Sequence, residues 1–184
     1  VSDIIIISGS PTEVSRSEQV LKYLGNLLEE KRQSIRHFSV KDVPAQDLFS
    51  GNYNSPRVLQ IVAAIEEAKG VIIGSPVYKG AYSGVLKAFI DLLPQDILKH
   101  KPVLPLMTGG SSSHLLALEY ALKPVLATLK AHNLKGIYLL DEEIDKNHSI
   151  PIIREDILQR TRKQIDYFNH LVNHSTLALS ETYS

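Results

Sequence analysis

The sequence predicts an α/β protein, a three-layer α/β/α sandwich around a five-stranded parallel sheet. Three observations predict it. Short, apolar, β-branched runs recur along the chain, amphipathic helical stretches separate them, and 184 residues leave room for one domain. Ile4 to Ile7 is the first run and is apolar at every position. Val71 to Gly74, Val103 to Met107 and Ile137 to Leu140 repeat it. A strand that is apolar on both faces is covered on both faces, as in a parallel sheet between helices. Arg36 to Val40 alternates instead, as an edge strand does.

The helical stretches are equally regular. Ser17 to Arg32 gathers Val20, Leu21, Leu24, Leu27 and Leu28 on one face. Arg57 to Lys69 does the same with Val58, Ile61, Val62 and Ile65. Gly84 to Leu93 and Ser113 to His132 follow, and a last helix begins near Glu155 and ends near Asn173. Right-handed crossovers then predict the flavodoxin-like strand order 2-1-3-4-5. Lys41 to Pro56 reads as a long polar connection. Residues 1–174 read as a single domain and residues 175–184 as a loose C-terminal tail.

Composition excludes several functions. Lys plus Arg number 20 and Asp plus Glu number 20, a balance that argues against partners such as nucleic acid or acidic membranes. Cysteine is absent, which removes disulfides, thiol nucleophiles and thiolate metal sites. No His, Asp or Glu cluster has metal-ligand spacing. No run of roughly 18 apolar residues offers a membrane span, and the chain enters its first strand without a basic leader. A cytoplasmic location is the expectation.

In an open α/β sheet, ligands bind beyond the carboxyl ends of the strands, where the strand order reverses. After the first strand, Ser8 to Ser17 is rich in hydroxyls, carries Arg16 and opens a helix. A helix N-terminus, serine hydroxyls and a guanidinium suit a monophosphate. The same residues fit a capping box, with Ser15 as the cap and Glu18 reaching back. Neither a dinucleotide fingerprint nor a P-loop is present. After the third strand, Ser75 to Gly84 offers a proline, two tyrosines and backbone groups able to border a flat heterocycle, although an ordinary turn with surface tyrosines also fits. After the fourth strand, Gly109 and Gly110 permit close backbone approach, or simply a flexible turn. The absence of G-x-S-x-G sets aside a serine hydrolase, and Ser75 stands where a receiver domain needs an aspartate. Pro124 falls inside a predicted helix, where it crowds the Tyr120 carbonyl. A π-turn near Tyr120 would absorb the misfit, as would a simple kink.

Taken jointly, Gly9-Ser10-Pro11 with Ser15-Arg16-Ser17, then Ser75 to Lys79, Ala81 to Gly84, Leu86-Lys87, Ile90 to Pro94, Leu104-Pro105-Leu106, Thr108-Gly109-Gly110, His114 to Ala117 and Tyr120 to Leu126, resemble the NAD(P)H-dependent FMN reductases. Within them, the chain is similar to the reductase components of two-component alkanesulfonate monooxygenase systems. The resemblance runs from residue 3 to about residue 140. It implies FMN and NADPH (or NADH) as cofactors, and delivery of reduced FMN to a partner monooxygenase. It implies that Ser10, Ser15, Arg16 and Ser17 hold the phosphate, and that Pro76, Val77, Tyr78, Lys79, Thr108, Gly109, Gly110 and Ser111 border the ring. Tyr120 matches a tyrosine inserted in this branch at a π-helix on a tetramer interface, so a homo-oligomer, dimer or tetramer, is implied. Thr12 departs from the arginine that many relatives carry there, which leaves the phosphate one cation fewer. Hydride transfer between stacked rings asks for no acid–base side chain, so no catalytic residue is named. Two other functions fit the same resemblance: an FMN-retaining reductase of quinones, azo dyes or metal ions, and a non-catalytic FMN-binding electron-transfer protein. Electron carriers of that kind are usually acidic, and the neutral charge of this chain counts against the last.

Overall fold

The computed structural model describes residues 2–181, with side chains described through residue 174. Six parallel strands form one sheet: β1 (Ile4–Ser8), β2 (Ile35–Ser39), β3 (Gly70–Pro76), β4 (Pro102–Gly109), β5 (His132–Asn133) and β6 (Ile137–Leu140). The helices are α1 (Arg16–Glu30), α2 (Ala45–Ser50), α3 (Pro56–Glu67), α4 (Gly84–Ile90), α5 (Lys123–Thr128) and α6 (Glu155–Glu181). The order is β2-β1-β3-β4, and β5 and β6 both pair with β4. This is the expected flavodoxin-like arrangement, with its fifth strand broken in two.

Pro105 explains the break. The Val103 carbonyl accepts from the Leu134 N–H at 2.9 Å on the fifth-strand side, whereas the Thr108 carbonyl accepts from the Val77 N–H at 2.7 Å on the β3 side. Odd-numbered residues of β4 therefore face the fifth strand. Pro105 is one of them and has no N–H to contribute. The chain steps away there through Gly136, at φ 85°, where a Cβ would sit 2.9 Å from the Pro105 oxygen.

Strand alternation divides the core. Ile5, Ile7, Val71, Ile73, Val103 and Met107 face α3, α4 and α5, meeting Ile61, Ile65, Phe89 and Leu126. Ile4, Ile6, Ile72, Leu104 and Leu106 face α1 and α6, meeting Leu21, Leu24, Ile165 and Phe168. Glycines set the spacing on this second side. A Cβ at Gly70 would lie 2.6 Å from Val172 and 2.9 Å from Phe168, and one at Gly74 would lie 2.8 Å from Leu21.

Three expectations are corrected. The connection over residues 41–56 is not plain loop; it contains α2, after a 3-10 turn at Val40–Asp42. The long helix over 113–132 is divided into a 3-10 turn (Ser112–His114), a π-helix (Leu118–Leu122) and α5. The capping box at α1 is half formed. Ser15 Oγ accepts from the Glu18 N–H at 3.1 Å, but the Glu18 carboxylate turns to Lys22 and Lys41 at 3.4 and 3.3 Å. Two cations attract it more strongly than one backbone N–H. The π-turn near Tyr120 is present, and the Lys123 N–H bonds to the Leu118 carbonyl five residues back. As for the tail expected over 175–184, the helix backbone continues to Glu181, and residues 182–184 lie outside the described residues.

The amino ends of the strands are tied together by Asp3. Its carboxylate meets Lys69 at 2.7 Å and accepts from the Ser34 hydroxyl at 2.6 Å and the Ser34 N–H at 3.1 Å. The lysine and serine contacts lower its pKa from 3.8 to about 2. Because the folded value is the lower one, the contribution to stability is present above 3.8 and is lost as pH falls through about 2. Chemical unfolding at a series of acid pH values should show this loss in the parent, and Asp3→Asn should lack it.

Candidate functional site

The carboxyl ends of β1, β3 and β4 are locked to one another before any ligand is considered. The Gly9 N–H donates to the Gly74 carbonyl at 2.7 Å. Ser83 caps α4 by accepting from the Leu86 N–H at 3.0 Å, and its hydroxyl donates to the Gly9 carbonyl. Ser75 Oγ accepts from the Ser83 N–H at 2.9 Å. Ser75 and Ser83 are buried, as is the Gly9 contact with α4. A Cβ at Gly9 would lie 2.8 Å from Leu86, so only glycine lets the β1 loop rest against this helix.

Above this lock lies a cleft of about 330 Å³, lined by Thr12 to Ser17, Pro76 to Tyr78, Thr108, Gly109, Asp141 and Lys146. One end is the N-terminus of α1, a 15-residue helix whose first turn presents unpaired N–H groups. Ser15 and Ser17 stand there with their hydroxyls 3.3 Å apart. The Arg16 guanidinium has no ion-pair partner among the described residues. Val14 holds this loop at φ 45°, a left-handed conformation that is strained for a β-branched residue. Lys41 braces the loop from outside, reaching the Thr12 carbonyl at 3.3 Å and the Glu13 carboxylate at 3.4 Å.

The other end is walled by backbone and rings. Tyr78 and Ala81 exchange two hydrogen bonds, at 2.8 and 3.1 Å, around Lys79 and Gly80 at φ 51° and 78°. This is a tight turn with both central residues left-handed, and it points Tyr78 toward solvent at the cleft rim. Tyr138 supports the β4 loop from beneath, its hydroxyl donating to the Ser111 carbonyl at 2.6 Å. Burial, then Asp141 and Glu143, raise its pKa, so the phenol stays a donor at neutral pH. A Cβ at Gly109 would lie 2.7 Å from that hydroxyl, which is why glycine stands there.

Of the residues expected from the sequence, Ser15, Arg16, Ser17, Pro76, Val77, Tyr78, Thr108 and Gly109 share the cleft lining. Ser10 does not: it is fully buried, and its hydroxyl pairs with Thr12 Oγ1 at 3.1 Å and accepts from the Thr12 N–H at 3.3 Å. Lys79, Gly110 and Ser111 lie beside the lining rather than in it. The sequence reading missed Asp141 and Lys146, which follow the last strand. The rule that pointed to the other loops at the carboxyl edge covers them too. Lys41 and Tyr138 carried no signal, because their roles depend on long-range packing.

The residues present fit a flavin mononucleotide. Hydroxyls, helix N–H groups and an unpartnered cation at one end suit a phosphate, and an apolar rim with backbone polar groups at the other suits a ring. Fold and cleft together define a flavodoxin-like nucleotide-binding protein. The family model described as NADPH-dependent FMN reductase matches residues 2–145. The chain belongs to this family. It is similar to an FMN reductase (NADPH) of Pseudomonas putida, 43% identical over 77% of this chain and 72% of that protein. It is similar to an FMN reductase (NADPH) of Escherichia coli, 37% identical over 90% of this chain and 87% of that protein. The apo crystal structure of an NADH:FMN oxidoreductase named EMOB superposes with a TM-score of 0.74 at 31% identity, covering 97% of this chain and 90% of that one.

Ser83→Ala removes a helix cap and strands the buried Gly9 carbonyl. It should cost about 1–2 kcal/mol in urea unfolding. FMN affinity should fall as well, because the β1 loop loses its tether. Unchanged stability would show that the lock is dispensable.

Proposed function

We propose that the cleft takes FMN with its phosphate at the α1 N-terminus and its ring beside Pro76 to Tyr78 and Thr108–Gly109. The enzyme, an NAD(P)H-dependent FMN reductase, then supplies reduced FMN to a partner monooxygenase of the sulfonate-sulfur assimilation type. The observation that carries the reading is the single cleft that joins unpartnered Arg16 and the two serines to the Tyr78 rim. Bound FMN supplies a ring able to accept hydride from the nicotinamide. Pro76 to Tyr78 and Thr108–Gly109 would border that ring, and the protein's part would be to bring it and the nicotinamide together. No acid or base is needed, and none is assigned.

The partner monooxygenase and the release of flavin rest on the resemblance at residues 9–17, 75–94 and 104–126. The π-helix is consistent with them. Tyr120 is 78% exposed, and Leu115 and Leu116 beside it are 50% and 57% exposed, an apolar face on which a homo-oligomer, dimer or tetramer, could assemble. A cytoplasmic location belongs to the same proposal.

Oxidation of NADPH and of NADH, followed by nicotinamide absorbance with added FMN, tests the activity. Turnover should require free FMN and at least one nucleotide; no turnover with either would overturn it. Deleting Tyr120 should convert the π-turn to α-helix and leave a protein that purifies yellow with retained flavin. A deletion variant as colourless as the parent would break the link between this turn and flavin release.

A further inference from the structure

We propose that Lys146 is a second cation for the phosphate held by the β1 loop, and that it sets the preference for a phosphorylated flavin over the same flavin without phosphate. The inference rests on the reading of the cleft as an FMN site.

Lys146 comes from the far side of the sheet yet lines the same cleft as Thr12 to Ser17. Its place is built by the fold. The chain leaves β6 through a 3-10 turn at Asp141–Glu143, then makes a closed excursion before α6. Ile144 and Ile152, both buried, pair antiparallel at its base. The Asp145 N–H donates to the Pro151 carbonyl at 2.8 Å, and the Ile153 N–H donates to the Glu143 carbonyl at 3.0 Å. At the tip, the Asp145 carboxylate accepts from the Asn147 N–H at 3.0 Å and its carbonyl from the His148 N–H at 3.3 Å. Buried Glu143 pins the other end, accepting from the Leu140 N–H at 2.9 Å and pairing with Arg154 at 3.4 Å. Lys146 therefore sits on an anchored turn at the cleft mouth.

The charges lining the cleft are not paired with one another. Two cations, Arg16 and Lys146, and two carboxylates, Glu13 and Asp141, line it. Glu13 is already met by Lys41 from outside the cleft. Arg16 and Lys146 form no ion pair with any described residue, and neither does Asp141. With Glu13 met by Lys41, two unpaired cations against one unpaired carboxylate, Asp141, leave the lining with an excess of positive charge that suits an anionic ligand. A phosphate monoester carries about −1.5 to −2 at neutral pH. Arg16 offers a planar fork, and Lys146 a mobile point charge on a flexible stem, so the two divide the work.

The test measures dissociation constants of FMN and of riboflavin by quenching of flavin fluorescence, for the parent, Lys146→Gln and Lys146→Glu. Lys146 is exposed, so both variants should fold as the parent does, which thermal unfolding checks. Lys146→Gln should weaken FMN about tenfold at low salt and leave riboflavin unchanged. Lys146→Glu should weaken FMN further, and the difference from the parent should shrink as salt is raised. Equal changes for both flavins, or no change for FMN, would overturn the assignment. So would an effect confined to the KM for NADPH and absent for NADH, which would move Lys146 to the nucleotide's 2′-phosphate. Failure of the parent itself to bind FMN would instead overturn the reading of the cleft.

Discussion

The functional end of this protein depends on how closely β1 and β3 are joined beyond their last paired residues. Parallel pairing alone stops at Ser8 and Gly74. The bond from the Gly9 N–H to the Gly74 carbonyl, together with the Ser83 hydroxyl on the Gly9 carbonyl, carries the register into the loops. The Ser75 hydroxyl then fixes Ser83. The two loops that border the cleft after β1 and β3 are thereby held at one spacing. A ligand that spans both meets a surface already in place, so little ordering entropy is spent on binding.

Two prolines shape the fifth-strand side of the sheet in the same way, by withholding a donor. Pro105 denies β4 an N–H toward the fifth strand, and the strand divides into β5 and β6 around Gly136. Pro124 denies the following helix an N–H, and the preceding turn widens to a π-helix whose Lys123 N–H reaches back to Leu118. The two events meet in space, since a Cβ at Gly136 would touch both the Pro105 oxygen and Leu118. The broken strand and the widened helix share one packing contact. Tyr120, within the π-helix, is exposed on the surface.

Much of the architecture was legible in the chain. The four isoleucines of β1 announce a strand covered on both sides, and the period of α1 and α3 announces which face is buried. Pro124 announced the π-turn, because a missing N–H is a local fact about a residue type. The candidate site was legible in its loops but not in its side-chain directions. Ser10, which the resemblance implies as a phosphate ligand, lies outside the cleft lining with its hydroxyl on Thr12. Glu18 looked like half of a capping box, yet two lysines claimed it. In each case a neighbouring partner sets the direction of the side chain.

The sequence by itself determined the sheet order, the position of the cleft at the carboxyl edge, and the residue types that surround it. These follow from period, proline chemistry and helix-end polarity, all of which act over a few residues. Tertiary structure decided which charges stand free. Lys41 is neutralised by Glu13 and Glu18, whereas Arg16 and Lys146 remain unpaired in one cleft although 129 intervening residues separate them along the chain. Electrostatic pairing depends on distance through space, and only the folded sheet brings those loops to one edge.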